Sequence, residues 1–150
     1  LVANACGLSM EQRISLITLG VQDLAASTAF YEALGWQRSM RQAEGVSFFQ
    51  CGGLAFALWP WTSLAEDAGV SPERSGAGGF ALAYNTRTRE EVDAVLAEVA
   101  ALGAQIVKPA VEVFWGGYSG YFRDLDGHLW EVAWNPGFAL DAAGAVTLPD

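Results

Sequence analysis

Apolar positions along this chain run through the same succession of periods twice. LITLGV, Leu16 to Val21, is a short apolar run of strand length, and DLAASTAFYEALGW follows it with a helical stripe of Leu24, Ser27, Phe30, Tyr31 and Leu34. Asp23 is the expected N-cap of that helix and Gly35 its stop. SFFQCGGLAFALWP, Ser47 to Pro60, then reads as an aromatic strand, a glycine turn and an apolar strand. GFALAYN opens the second round. Its helix carries Val92, Val95, Leu96, Val99 and Leu102 at the 3.6-residue period, Thr88 and Glu91 in a capping-box pattern, and Gly103 as its stop. WGGYSGYFRDLDGHLWEVAWNP, Trp115 to Pro136, supplies the second hairpin.

The two hairpins share their register as well as their pattern. Gly53 stands four residues before Ala57, as Gly127 stands four before Glu131, and each closing strand ends in Trp followed closely by Pro. The chain therefore reads as two β-α-β-β-β modules, 14–60 and 78–136, within a single α+β domain covering 10–136. The stretch 61–77 is rich in Gly, Ser, Pro and charge and is expected to be a surface connection holding one short helical turn. Residues 1–9 are expected to be a flexible extension or expression remnant, and 137–150, with no clear period, a C-terminal tail on the surface.

Alternation sorts the last strand into two faces, Leu129, Glu131 and Ala133 on one and Trp130, Val132 and Trp134 on the other. The bulky tryptophan face is expected to receive the helices, leaving Glu131 aimed into whatever concavity the modules enclose. By the repeat register Ala57 is the counterpart of Glu131, with Leu16 and Phe80 matched on the first strands. Those four residues are expected to surround a common centre. Thr18, Trp59, Leu82 and Tyr84 are expected to complete its walls.

Composition narrows the partners. At 150 residues and 52% hydrophobic content the chain can bury a sizeable core. Seventeen acidic against eight basic residues give a net charge of −9, which disfavours nucleic acid. Cys6 and Cys51 make neither a disulfide framework nor a metal cluster. No stretch approaches the length of a membrane span, so no membrane partner is expected and a reducing cytoplasm is the default.

VQDLAASTAFYEALGW and GYFRDLDGHLWEVAWNP, with D-x-D-G-H-x-x-E in the closing hairpin, resemble the vicinal oxygen chelate superfamily of glyoxalase I, bleomycin-resistance proteins, fosfomycin-resistance transferases and ring-cleaving dioxygenases. The resemblance spans Ile14 to Pro136. It implies a curved mixed sheet, a half-barrel of about eight strands around a cavity, and a homodimer. In metal-dependent members, four strand positions supply His, Gln or Glu to a divalent metal. Here those positions carry Leu16, Ala57, Phe80 and Glu131, of which only the glutamate has a lone pair to offer, so no metal cofactor is expected.

Three functions remain open at this level. The leading one is metal-independent binding of a small aromatic or hydrophobic molecule, in the manner of bleomycin-resistance proteins, with Glu131 as polar anchor. A second is a glyoxalase-like lyase or isomerase using Glu131 as base with Tyr84 or Tyr118 as acid. A third is a protein-association module with a vestigial cavity. Glu131 also has a purely structural reading, a carboxylate held by Tyr or Trp donors. His128 is expected to brace its turn. Trp61 and Trp115 fall in expected loops, at either a pocket mouth or a subunit interface.

Overall fold

The computed structural model describes residues 16–68, 71–73 and 82–147. The expected extension 1–9, part of the connection and Phe80 lie outside the described residues.

The first module runs β1 (Leu16–Val21), α1 (Leu24–Ala33), β2 (Arg38–Ser39), β3 (Ser47–Cys51) and β4 (Leu54–Pro60). After α2 (Trp61–Ala68), the second runs β5 (Leu82–Thr86), α3 (Arg89–Ala101), β6 (Gln105–Glu112), β7 (Tyr118–Arg123) and β8 (Leu129–Trp134). The modules form two four-stranded mixed sheets of matching topology, β1-β4-β3-β2 and β5-β8-β7-β6, rather than one continuous eight-stranded sheet, and the sheets do not close. In each, the first strand lies parallel to the last.

Both helices start as the sequence dictates. The Asp23 carboxylate accepts from the Ala26 amide at 3.0 Å, and the Thr88 hydroxyl accepts from Glu91 at 3.2 Å. Glu91 does not close the reciprocal half of a capping box, because its carboxylate accepts from the Arg87 amide instead. Gly35 and Gly103, at φ of 92° and 99°, end the helices in the left-handed region that side chains disfavour.

Each helix packs on the sheet of its own module, and the two layers share one core. Leu19, Val21, Phe56 and Leu58 meet Phe30 and Tyr31 of α1, while Phe122, Trp130 and Val132 meet Val92, Leu96 and Val99 of α3. Trp130 and Val132 therefore face the helices as their alternation requires. The Tyr31 ring lies 5.1 Å from Trp36, 5.2 Å from Phe56 and 6.2 Å from Trp130, joining the halves through an aromatic cluster.

Polar contacts at the β7–β8 turn join the modules within one chain. Buried Asp124 accepts the Tyr31 hydroxyl at 2.7 Å and the amides of Asp126 and His128 at 3.0 and 2.9 Å. Asp126 in turn accepts from the Gln22 amide, and His128 Nε2 donates to the Gly20 carbonyl at 2.8 Å. His128 thus bridges the modules rather than only bracing its own turn. Burial, aided by the neighbouring Asp124 carboxylate, drives the Tyr31 phenol far above its ordinary range. The Trp130 indole N–H works against that shift from a position that falls short of a hydrogen bond.

Two expectations need correction. The connection holds a two-turn helix, α2, because Trp61 seats its ring on Gly20 so closely that a Cβ there would collide with it. Trp61 Nε1 also donates to the Pro72 carbonyl. The C-terminal stretch is not a plain tail. Ala139–Leu140 (β9) and Val146–Thr147 (β10) pair antiparallel, and Arg87 Nη2 ties their turn down by donating to the carbonyls of Asp141 and Ala142. Among the described residues no helix is long and apolar enough to cross a membrane.

Tyr31→Phe removes one of the three donors to buried Asp124 while keeping the ring, and should cost about 1–3 kcal/mol of stability. Urea denaturation checks this. An unchanged midpoint would show that the cross-module bond contributes nothing net.

Candidate functional site

The face of each sheet turned away from the helices is set by strand register. In the second module, Glu131 pairs across the ladder with Tyr121 on β7 and Ala83 on β5, so these three side chains share a face with Leu129, Ala133, Ser119 and Asn85. The Tyr121 hydroxyl donates to Glu131 Oε2 at 2.6 Å. The pair is partly exposed, a carboxylate and a phenol beside the apolar Ala83, Leu129 and Ala133 and the polar Ser119 and Asn85. That hydrogen bond, with burial second, raises the Tyr121 phenol above its ordinary value.

In the first module the corresponding face is assembled as the sequence indicates. Thr18 pairs with Ala57, Leu16 with Ala55 and Gly20 with Trp59, so Leu16, Thr18, Ala57 and Trp59 lie together. Leu16 is 46% exposed, whereas Ala57 is buried. Trp61 covers Gly20 on this same face, so α2 roofs one end of it. Neither the sheet's alternation nor composition alone signalled that roof.

The expected walls on β5 fall elsewhere. Leu82 and Tyr84 pair with Trp130 and Val132, which places them on the helix side, opposite Glu131. Thr18 and Ala83 stand equally far ahead of the N-caps Asp23 and Thr88, so alignment by helix caps would have found the register that alignment on Leu16 and Phe80 missed by one residue. One step of slip moves every side chain of a strand to the other face. Phe80 itself lies outside the described residues.

Neither tyrosine expected as an acid reaches Glu131. Tyr84 is on the opposite face, and Tyr118, in register with Trp134, donates to Asp93 at 2.7 Å beneath the Arg89 guanidinium. The bond to Asp93 raises the Tyr118 phenol. Trp115 also lies apart. It belongs to the β6–β7 turn, its ring folded onto Gly117, four residues before Tyr121 and so about 13 Å away along an extended chain. The tyrosine donor expected for Glu131 is Tyr121, a residue that counting outward from the Asp124–His128 turn would have placed opposite it.

Residue chemistry at this face does not fit a chelated divalent metal. Glu131 is a single carboxylate with one oxygen engaged by Tyr121, and Leu16, Ala57 and Ala83 carry no donor atom. No group of three or more His, Cys, Asp or Glu among the described residues could hold a metal ion.

Comparisons with known proteins place this geometry. The model of the Glyoxalase/Bleomycin resistance protein/Dioxygenase superfamily matches residues 13–132. A glyoxalase-related enzyme from Fulvimarina pelagi is 40% identical, with a TM-score of 0.86 over 93% of this chain and 100% of that one. A genomically encoded fosfomycin resistance protein from Listeria monocytogenes is 29% identical, with a TM-score of 0.65 over 84% of this chain and 95% of its own. A lactoylglutathione lyase from Agrobacterium tumefaciens is 25% identical, at 0.63 over 83% and 95%. A comparison with curated protein sequences gives no match.

The raised Tyr121 pKa has a direct consequence for pH. The folded state holds the phenolic proton more tightly than the unfolded chain does, so this contribution is complete below the ordinary phenol value near 10 and fades as pH rises through the folded one. Alkaline unfolding of the Tyr121→Phe variant should therefore be less steep above the ordinary phenol value than that of the parent. Parallel pH profiles would contradict the assignment.

Proposed function

The chain belongs to the Glyoxalase/Bleomycin resistance protein/Dioxygenase superfamily, and on that premise we propose that it binds a small aromatic or hydrophobic molecule without a metal. The observation that carries this reading is the Tyr121–Glu131 hydrogen bond of 2.6 Å on a sheet face where Ala83, Leu129 and Ala133 stand beside Ser119 and Asn85. Glu131 Oε1 accepts from no protein donor among the described residues, and a ligand hydroxyl or amine would complete its bonding. Leu16, Thr18, Ala57 and Trp59 offer a second apolar surface of the same orientation on module one. Apolar walls with one fixed polar group orient a ligand without needing chemistry from the protein.

A homodimer in a cytoplasmic setting completes the proposal. Phe114 is fully exposed and Val111 is 42% exposed at the β6 edge, an apolar surface suited to a second copy.

The same hydrogen bond supports a second reading, a lyase or isomerase in which Glu131 is the base and Tyr121, not Tyr84 or Tyr118, returns the proton. Chiral chromatography and NMR of a ligand recovered after long incubation separate the two, since a binding protein returns it unaltered.

A tryptophan-fluorescence titration with 1-naphthol, whose hydroxyl suits Glu131, should show saturable binding. Glu131→Gln should weaken it about tenfold, the value of a hydrogen bond to a charged group, while leaving naphthalene unaffected. Equal affinity of both variants for 1-naphthol would sink Glu131 as the anchor.

A further inference from the structure

A cavity lies on the opposite side of the sheet from Glu131. Between the C-terminal end of α1 and the face of α3 it has a volume of about 120 Å³, close to the size of about 150 Å³ at which an apolar cavity accepts benzene. Its inner walls are the rings of Tyr31, Trp36 and Trp130, with Val95 of α3 on the other side. Tyr84 and Glu98 also line it, and both are exposed, so they form its mouth.

Two features of that lining select for charge as well as shape. Trp36, Trp130 and Tyr84 give the lining aromatic rings of the kind that attract cations, and Glu98 is the one formally charged residue in it. Among the lining residues nothing positive opposes it. The chain's net charge of −9 adds a long-range field of the same sense. A neutral hydrocarbon would use the inner walls alone. A ring carrying a short ammonium arm would use the walls and the mouth together.

We propose that this helix-side cavity is a binding site for a small organic cation, an arylalkylammonium or a compound of the same chemistry, seated with its ring among Tyr31, Trp36 and Trp130 and its ammonium beside Glu98. The site is independent of Tyr121 and Glu131, which point to the other face of the same sheet. It sits where Tyr31 of one module meets Trp130 of the other, so a ligand there bridges both halves.

The test uses phenethylammonium as probe, with 2-phenylethanol and phenylacetate as neutral and anionic counterparts, followed by indole N–H resonances of the intact protein. Phenethylammonium should bind best and shift the Trp36 and Trp130 signals. Glu98→Gln should reduce its affinity about three- to fivefold, the value of a partly exposed ion pair, and leave 2-phenylethanol unchanged. Val95→Phe should fill the cavity and abolish binding. Should that variant fail to fold, Tyr84→Ser at the exposed mouth should weaken the cation severalfold. Failure of all three probes to shift Trp36 and Trp130, or equal affinity for cation and neutral compound, would overturn the proposal without touching the site at Glu131.

Discussion

Asp124 is the group on which the arrangement of the two modules rests. Its carboxylate is buried at a turn of module two, yet one of its three donors is Tyr31 of module one, 93 residues away. A buried carboxylate is tolerated only when its oxygens are satisfied, so the position of α1 and the shape of the β7–β8 turn are fixed together. Asp126 and His128, flanking the same turn, add the bonds to Gln22 and Gly20. This turn also starts β8, and therefore sets the register that carries Glu131 to one face and Trp130 to the other.

Site and core are thus two faces of one ladder. Trp130 and Val132 stabilise the junction by burial, and Glu131, between them, is left on the side where neither helix packs. What remains there is a tyrosine-held carboxylate among Ala83, Leu129, Ala133, Ser119 and Asn85. Family membership fixes the scaffold, but the scaffold hosts many chemistries, and the residues at its usual ligand positions decide among them. Leucine and alanine at those positions offer a metal no donor atom.

Much of this was legible in the sequence because it depends on local signals. Asp23, Thr88, Gly35 and Gly103 mark the helices through capping chemistry, and the repeated hairpins announce the duplication. The orientation of Glu131 followed from alternation against two tryptophans. What escaped were relations between strands. Tyr121 meets Glu131 only through the hairpin register, and Leu82 and Tyr84 changed faces because their strand was aligned one residue out. Trp61 was legible as a residue needing a partner, but the partner, the bare surface of Gly20, is a distant and featureless one. The small hairpin of β9 and β10 has too few residues to show a period, and its anchor is an arginine from another module element.

Metal-free recognition at the Glu131 face can be checked by equilibrium dialysis of the protein, purified without chelator, against Zn²⁺ and Mn²⁺ in turn. Neither ion should be taken up stoichiometrically, and the parent and Glu131→Gln should not differ. Stoichiometric binding of one ion that is lost in Glu131→Gln would contradict it, and would return this face to metal chemistry.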